Sequence, residues 1–476
     1  MKKDYKLPCL DEARKRNKDA VDNIRFSIDD KYLNIGLNKK YHLITHGCQA
    51  NVRDSEEMAG ILESLGYKYS QTRDDTDVII FNTCAIRQGA EEKVYGEIGA
   101  LKKIKNAKPD LVIGFGGCMA QEENTVKNLI EKYPWVNLVF GTHNIHDLPK
   151  LLFDIYESNK RKIEVYSKMG EIIEDVPVTR LFKHKASVNI MYGCDKFCTY
   201  CIVPYTRGKE RSRRKEDIIA EVDELVKQGY KEVTLLGQNV NAYGNDLNID
   251  YTFGNLLNDV AKTGINRIRF MTSHPWNFDD RMIEAIKNNS NIMPYIHLPL
   301  QSGNEYILKR MNRRYTPETY MALFDKLKAN LPNFAFTTDI IVGFPGETEE
   351  MFLDTLKMVD YCKYDNAFTF IFSPRAGTPA ASMEDDTPTK EKENRLSRLN
   401  EKVAYYANLN NQKFKDKTVE VLVDGLSKKN DKVYSGYTKE GKLVNFTAEN
   451  VQIGDLVDVK ITEVLSFSLN GVMIEK

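Results

Sequence analysis

Three short apolar segments recur at nearly equal spacing and constrain the fold of the first third of the chain more than any other feature. Each segment has the length and composition of a β-strand, each is followed within a few residues by a cysteine, and helical patterns separate them. The segments are residues 41–45, 77–81 and 111–115, and the cysteines are Cys48, Cys84 and Cys118. Successive cysteines are about 35 residues apart, which is the length of one strand–helix unit. We therefore predict an open parallel βαβ sheet over this part of the chain.

In such a sheet these three residues, the strand-end cysteines, lie at one edge although they are far apart in sequence. Each follows the carboxyl end of its strand, and open parallel sheets bind their ligands at that edge. The alternative is that three buried strands end in cysteine by chance, because cysteine is often buried as a small apolar residue. The regular spacing favours convergence on a shared site.

A second group of cysteines lies within one short loop. Cys194, Cys198 and Cys201 have the spacing C-x3-C-x2-C. A loop this short can direct three thiolates at one centre, which suits a metal site and not a disulfide pair. Structural zinc requires four protein ligands, and His184 is the only nearby candidate for the fourth. An iron–sulfur cluster with one open iron fits the pattern better, while zinc and unrelated buried thiols remain the alternatives.

The alternation of strands and helices resumes after residue 186. Strands are predicted at residues 187–191, 232–236, 267–271, 295–300, 335–342 and 367–372. Six such units predict a partial (β/α)6 barrel, with Cys194 in the loop after its first strand. Short strands after residue 418, punctuated by glycines, predict a small C-terminal all-β barrel.

The predicted fold class is therefore α/β with three folded parts. We place them at residues 40–155, 180–412 and 414–476, after a charged N-terminal extension at residues 1–39. The acidic stretch at residues 171–175 is predicted to be a linker between the first two parts. A chain of 476 residues is long enough to give each part its own core.

Composition limits the class of protein and its partners. The formal net charge is +0, so nucleic acid would have to be bound by a local patch rather than by global attraction. The sequence has no apolar run long enough to cross a membrane, and its first residues lack the apolar core of a signal peptide. Its eight cysteines are too few for a disulfide scaffold and are expected to stay reduced. We expect a cytoplasmic protein with no membrane partner.

Four longer runs resemble one family closely, the radical S-adenosylmethionine (SAM) methylthiotransferases. These runs are residues 82–87 (NTCAIR), 192–213 around the C-x3-C-x2-C loop, 297–303 (HLPLQSG) and 338–348 (TDIIVGFPGET). The order of the parts is also similar, and the resemblance extends from about residue 41 to the end. Members of this family join a three-cysteine N-terminal domain, a radical SAM core and a C-terminal RNA-binding TRAM domain.

The resemblance implies two 4Fe–4S clusters and SAM as cofactors. The cysteines of the C-x3-C-x2-C loop would hold the cluster that binds and cleaves SAM, and the strand-end cysteines would hold a sulfur-handling cluster. Tyr200, beside the third cysteine of the loop, and Gln238 would contact SAM. The Gly-Gly-Glu element of the wider superfamily is present here only as Leu236-Gly237-Gln238.

The activity that the resemblance implies is methylthiolation at C2 of N6-dimethylallyladenosine, next to the anticodon of tRNA, with two SAM molecules used per turnover. Sister enzymes that act on threonylcarbamoyl-adenosine in tRNA or on a ribosomal protein aspartate are the nearest alternative. An iron–sulfur electron carrier with an RNA-binding tail is the alternative of another class, although it would not need the predicted half-barrel. The expected partners are tRNA carrying N6-dimethylallyladenosine and an electron donor such as a flavodoxin or ferredoxin, and we expect a monomer.

Two basic segments are candidates for phosphate contact. The first follows the C-x3-C-x2-C loop and contains Arg207, Lys209, Arg211, Arg213, Arg214 and Lys215. A charge run is usually a solvated surface, but the position of this one beside the loop equally favours RNA contact. The second combines charge with aromatic residues, as RNA-binding surfaces do, although a basic turn above an ordinary core would give the same pattern. It contains Lys428, Lys429, Lys432, Tyr434, Tyr437 and Phe446.

Overall fold

The structure is a computed structural model, and it describes residues 5–15, 22–85, 88–167, 171–427 and 430–474. The chain divides into two compact units. The N-terminal unit contains the chain up to Leu181 together with Met191–Phe197 and Cys201–Arg213. The C-terminal unit contains Phe182–Ile190, Cys198–Tyr200 and the chain from Arg214 onwards.

The strands and helices are numbered in chain order. The strands are β1 (Asn23–Arg25), β2 (Lys40–Thr45), β3 (Lys68–Tyr69), β4 (Val78–Thr83), β5 (Val112–Gly117), β6 (Leu138–Phe140), β7 (Lys162–Glu164), β8 (Ile172–Glu174), β9 (Lys185–Asn189), β10 (Met191–Tyr192), β11 (Arg211–Ser212), β12 (Glu232–Leu236), β13 (Arg267–Phe270), β14 (Tyr295–His297), β15 (Ala335–Val342), β16 (Asn366–Ile371), β17 (Thr418–Ser427), β18 (Asn430–Tyr437), β19 (Leu443–Thr447), β20 (Leu456–Val464) and β21 (Leu469–Met473). The helices are α1 (Leu10–Arg14), α2 (Gln49–Ser64), α3 (Gln88–Ala107), α4 (Glu123–Lys132), α5 (Leu148–Ser158), α6 (Val203–Thr206), α7 (Lys215–Lys227), α8 (Phe253–Ala261), α9 (Asp280–Asn288), α10 (Glu305–Arg310), α11 (Pro317–Asn330), α12 (Glu349–Cys362) and α13 (Thr389–Gln412).

A six-stranded parallel sheet forms the centre of the N-terminal unit, in the order β3-β2-β4-β5-β6-β7. Every residue of β4 and β5 is buried, as expected for strands that helices cover on both faces. Ile79 and Phe81 pack with α3 and α4 on one face, whereas Val78 and Ile80 pack with α2 and α5 on the other. The alternation follows from the two-residue period of a strand. The predicted open parallel sheet is confirmed.

The segments on either side of this sheet are part of the same unit. Lys6 bridges to Glu164 at the β7 edge, and β1 pairs in parallel with β8. The acidic stretch predicted as a linker therefore forms a strand, β8, instead. Glu174 in this stretch is buried and forms an ion pair with Arg213. The ion pair explains why a stretch with an acidic sequence is not fully exposed to solvent.

Six parallel strands form a half-barrel in the C-terminal unit. One half has the order β9-β12-β13 and the other β14-β15-β16, and a parallel bridge between Ile268 and Ile292 connects them. The six strands thus follow one another in chain order, as the predicted partial (β/α)6 barrel requires.

The last five strands close into a small barrel in the order β17-β18-β19-β21-β20, which confirms the predicted all-β domain. The barrel lies against the half-barrel within the C-terminal unit. Arg267 of β13 donates hydrogen bonds to the carbonyl of Tyr437 and to Glu420, and Lys442 pairs with Asp365 at 2.6 Å. In the described ranges, no helix combines the length and the apolar character needed to cross a membrane.

Candidate metal centres

The strand-end cysteines meet at the carboxyl edge of the N-terminal sheet. Their strands, β2, β4 and β5, are neighbours in that sheet. Cys48 directly precedes α2, Cys84 directly follows β4, and Cys118 directly follows β5. A Cβ at Gly47 would lie 2.6 Å from Cβ of Cys84, so the first two loops are in contact and only glycine leaves room for it.

A buried amide network fixes these loops. Asn51 donates to Oδ1 of Asn82 at 3.1 Å and to the Thr83 carbonyl at 3.0 Å. Asn82 donates in return to the Asn51 carbonyl at 2.7 Å and to Oγ of Ser55 at 2.9 Å. Thr83 continues the network to the Gly116 carbonyl at 2.7 Å. Because buried and satisfied networks are rigid, the loops that carry the thiols are held before any ligand binds.

Arg207 brings a buried positive charge to the same thiols. Its guanidinium donates to both carboxylate oxygens of Asp54, at 3.1 and 2.5 Å. Burial raises the pKa of Cys118 in spite of the attraction and hydrogen bond from Arg207. A hydrogen bond from Cys84, assisted by the charge of Arg207, lowers the pKa of Cys48 to about 5. The site therefore favours a thiolate at Cys48, while ionisation of Cys118 needs further positive charge, which a metal centre supplies.

This donor set fits an iron–sulfur cluster better than zinc. Within the described parts of the chain, no three His, Cys, Asp or Glu side chains are grouped to hold a single metal ion. Structural zinc would need four ligands around one ion. Each thiolate of a 4Fe–4S cluster binds a different iron, so three converging cysteines are sufficient without such a group.

The C-x3-C-x2-C loop is held at both ends by its own backbone. The β10–β11 hairpin brackets it, and Cys194 donates its N–H to the Gly208 carbonyl at 3.0 Å. Gly193 has a φ of +72°, and a Cβ there would lie 1.9 Å from the Lys209 carbonyl oxygen. Phe197 also adopts a left-handed φ, of +46°. The positions of the cysteines in this loop are therefore set by tight turns of the backbone itself.

Cys198 lies in a buried pocket of the C-terminal unit beside a second guanidinium. Arg313 is 5% exposed and donates to Sγ of Cys198 at 3.4 Å. It also donates to the Pro299 carbonyl at 3.2 Å and to the Tyr315 hydroxyl at 3.1 Å. The next residue, Thr199, is anchored by a backbone hydrogen bond to the Met311 carbonyl at 3.1 Å. A hydrogen bond to a cluster sulfur is one of the ways in which a protein tunes a cluster.

The two residues predicted to contact SAM both belong to the C-terminal unit, and their role stays a prediction. Tyr200 is half-buried and packs edge-on against Phe344, with ring centroids 6.4 Å apart. Gln238 is half-buried and follows the carboxyl end of β12, where Thr272 holds the loop through a hydrogen bond to the Gly237 carbonyl at 2.7 Å. Both positions are on the side where barrels of this kind bind ligands.

Three of the six residues of the first basic segment do not belong to the cationic surface that the sequence suggested. Arg207, Arg211 and Arg213 are all buried. Arg207 pairs with Asp54, and Arg213 pairs with Glu174 at 2.6 Å. Both the phosphate-contact interpretation and the solvated-surface interpretation are therefore wrong for these three arginines. They stabilise the N-terminal unit instead.

The second basic segment is only partly exposed. Phe446 is 1% exposed and stacks with Tyr434 inside the small barrel, so it belongs to the core and cannot stack with a base. Lys432 and Tyr437 are exposed. Lys428 and Lys429 lie outside the described residues. The surface that remains for RNA on the described part of this barrel is smaller than predicted.

Comparison with known proteins decides the family. Residues 188–359 match the radical SAM superfamily, residues 40–141 the uncharacterized protein family UPF0004, and residues 412–474 the TRAM domain. The chain is 54% identical over 472 residues to a tRNA-2-methylthio-N(6)-dimethylallyladenosine synthase from Staphylococcus saprophyticus, covering 99% of this chain and 92% of that one. It is 53% identical over 474 residues to the protein of the same name from Staphylococcus epidermidis, with the same coverage. The chain belongs to the radical SAM methylthiotransferase family. It is therefore a transferase whose cofactors are 4Fe–4S iron–sulfur and SAM.

Solved structures show the same fold at low identity. A radical SAM methyltransferase from Kitasatospora setae, solved with cobalamin and a 4Fe–4S cluster, superposes with a TM-score of 0.55 at 12% identity and covers 72% of this chain and 74% of its own. The same enzyme with tryptophan and a SAM analogue gives a TM-score of 0.53 at 13% identity, covering 72% and 75%. This likeness confirms the predicted fold class and says nothing about substrate.

Sequence reasoning missed the groups that surround the thiols. Asp54 and Arg207 are far apart in sequence, as are Cys198 and Arg313. No local pattern connects such partners. Asn51 and Asn82 could have been suspected, because each lies within three residues of a strand-end cysteine.

Proposed function

We propose that the chain installs a methylthio group at C2 of N6-dimethylallyladenosine, next to the anticodon of tRNA, in the cytoplasm. The observation that carries the proposal is the presence of two separate three-cysteine sets, one in the N-terminal sheet and one in the C-x3-C-x2-C loop. The names of the full-length relatives support the same substrate and reaction. Two SAM molecules are used, one for the methyl group and one for the radical.

The cofactors supply one-electron cleavage of SAM to a 5′-deoxyadenosyl radical, together with the sulfur and methyl groups. The chain supplies the hydrogen bonds that hold the cysteines of both sets in position. The Arg313 hydrogen bond fixes the Cys198 thiol, and the Asn51–Asn82 network fixes the loops of the strand-end cysteines. An aromatic C–H has no acidic proton, so hydrogen removal at C2 needs no catalytic base.

Cysteine variants test the division of labour between the two sets. Cys198→Ala in the reconstituted enzyme should abolish both 5′-deoxyadenosine formation and methylthiolation. Cys84→Ala should keep 5′-deoxyadenosine formation and lose methylthiolation, because the radical-generating cluster does not use the strand-end cysteines. Iron should fall from about eight to about four atoms per chain in either variant. Cys362→Ala is the matched control, since Cys362 is a buried thiol of α12 outside both sets.

Each outcome separates the proposal from its alternatives. Methylthiolated tRNA from a folded Cys84→Ala enzyme would refute the role of the strand-end cysteines. Mass spectrometry of tRNA nucleosides identifies the modified base and so distinguishes dimethylallyladenosine from threonylcarbamoyl-adenosine as substrate. An electron carrier would form no 5′-deoxyadenosine at all. The electron donor, proposed to be a flavodoxin or ferredoxin, is identified by which protein supports turnover without a chemical reductant.

A further inference from the structure

A groove of about 620 Å³ opens on the C-terminal unit between two segments that follow strands of the half-barrel. One side is the segment after β13, with Pro275, Trp276 and Phe278. The other side runs from α10 to α11, and it follows β14. Loops after the carboxyl ends of barrel strands form the binding face of such folds. The volume lies in the range of sites that hold one small molecule or one nucleotide, and it is too small for a duplex.

A residue that lines the groove directly follows, in sequence, the arginine that contacts Cys198 of the C-x3-C-x2-C loop. Arg313 turns inward and donates to Cys198, whereas its neighbour Arg314 lines the groove. Arg314 has a φ of +40° and Asn312 a φ of +57°. Asparagine adopts such values readily, whereas for arginine they are unfavourable and concentrate at functional sites. With this backbone conformation, two consecutive arginines lie at two different sites, Arg313 at Cys198 and Arg314 in the groove.

Trp276 and Arg314 form an exposed stacking surface in this groove. The Trp276 side chain is 48% exposed, and Cζ of Arg314 lies 5.0 Å from the centroid of its ring. Lys309 adds a second positive charge and Glu305 one negative charge among the lining residues. Exposed aromatic rings beside cations bind unpaired bases by stacking and their phosphates by charge. The whole chain has a net charge of +0. The local excess of positive charge in this groove, and not the overall charge, would therefore attract the phosphates of an RNA loop.

We propose that this groove binds an unpaired nucleotide of the substrate RNA, adjacent to the base that reacts, with its base stacked on Trp276 and its phosphate beside Arg314. The inference rests on the proposed function for the identity of the RNA. It adds a positioning site that holds the loop while the neighbouring base reaches the centre near Cys198. The role is positioning, since neither residue touches the reacting atoms.

Tryptophan fluorescence tests the proposal directly, because the chain has two tryptophans. Trp135→Phe leaves Trp276 as the only one, and the unmodified chain serves as a second sample. A reconstituted enzyme titrated with an anticodon stem-loop should show quenching of Trp276, since a stacked base quenches indole. A fully paired, blunt-ended RNA duplex of equal length should not quench it. Unchanged fluorescence at saturating stem-loop would overturn the proposal.

Binding affinities give an independent readout. Trp276→Ala and Arg314→Ala should each raise the Kd for the stem-loop at least about tenfold, as loss of one stacked base does. Trp276→Phe should recover most of the affinity because it keeps an aromatic face. The matched control is Tyr405→Ala, which removes an aromatic side chain that is 63% exposed on α13. Equal Kd values for Trp276→Ala and Tyr405→Ala would also overturn the proposal.

Failure of the groove and failure of the proposed function give different results. If the groove is wrong, tRNA is methylthiolated while the Trp276 signal and the Kd of the variants stay unchanged. If the proposed function is wrong, RNA quenches Trp276 but no methylthio group is formed.

Discussion

Arg267 joins the small C-terminal barrel to the half-barrel. It extends from β13 with no exposed surface. One guanidinium nitrogen donates to the Tyr437 carbonyl at 2.7 Å, and the other donates to the carbonyl and the carboxylate of Glu420 at 3.2 and 3.0 Å. Both acceptors belong to the small barrel, so Arg267→Met should weaken its attachment.

The size of the effect follows from burial. Removing one partner from a buried charged network costs about 3–5 kcal/mol, because the groups left behind are buried without hydrogen bonds. The Glu420 side chain is 40% exposed, so water can replace part of what its carboxylate loses. We therefore expect the lower end of the range, about 3 kcal/mol. This corresponds to about a 100-fold larger population of the detached barrel.

Limited proteolysis measures that population. Lys413, Lys415 and Lys417 lie between α13 and β17. Backbone hydrogen bonds hold this segment, from Asp416 to the Ile461 carbonyl and from Lys417 to the Phe414 carbonyl, both at 3.0 Å, so cleavage by trypsin is faster when the segment opens. Under conditions where opening and closing are fast, the cleavage rate follows the open population, so Arg267→Met should be cut about 100-fold faster.

The matched control is Lys439→Met. Lys439 also approaches Glu420, at 3.9 Å, but it is 35% exposed, and exposed pairs contribute about 0–1 kcal/mol. If trypsin cuts Arg267→Met no faster than Lys439→Met, the barrel is not held by this buried guanidinium and the reasoning is wrong. Deleting the whole barrel would be a poorer test of RNA binding, since it would expose Arg267 and Asp365, which now contact the barrel.

Three further perturbations test local features. Burial acts to raise the pKa of Asp424, but hydrogen bonds from His184 and Lys185 outweigh it and hold that pKa below its usual value. The ionised Asp424 carboxylate contributes stability above about pH 4, and this contribution is lost as the pH falls further. In urea denaturation, Asp424→Asn should therefore have a lower free energy of unfolding at pH 7, and this free energy should fall less steeply with acid than in the unmodified protein. An unchanged dependence on acid pH would contradict this. Gly117, the residue before Cys118, has a φ of +90°, and a Cβ there would lie 2.5 Å from the Thr83 carbonyl oxygen. Gly117→Ala should therefore displace Cys118 and lose about half of the reconstituted iron in an iron assay. Full iron content would contradict this. Arg313→Gln removes a positive charge from beside the Cys198 thiol. If that thiol holds a cluster as proposed, redox titration followed by electron paramagnetic resonance should show the midpoint potential more negative by on the order of 100 mV. An unshifted midpoint would show that the charge is screened.

The parts of the fold that were predictable are those set by local pattern. The strands β4 and β5 are continuous apolar runs, and their burial on both faces requires that pattern. The strand-end cysteines were placed correctly because parallel strands connected by one helix share the direction of their carboxyl ends. The strands of the half-barrel were found for the same reason. Several ends differ by two or more residues, as for β14, which stops at His297.

What the sequence could not show is where each charge finds its partner. Arg207, Arg211 and Arg213 look like a surface run because polar residues usually are on the surface. The burial of Arg207 and Arg213 depends on carboxylates at Asp54 and Glu174, which are distant in sequence. The same acidic stretch that contains Glu174 was predicted as a linker for the same reason. A buried ion pair is a tertiary feature, and neither partner carries a local signal of it.

The two buried guanidiniums beside the cysteine sets differ in their hydrogen-bond partners. Arg207 is neutralised by Asp54. The hydrogen-bond partners of Arg313 in the described part of the chain are a hydroxyl, a carbonyl and the thiol of Cys198. A buried cation without an anionic partner is costly, and ionisation of Cys198 on metal binding supplies that anion. If this set holds a cluster as proposed, cluster binding should stabilise the packing around Cys198, so we expect folding and metal binding to be coupled at the C-x3-C-x2-C loop.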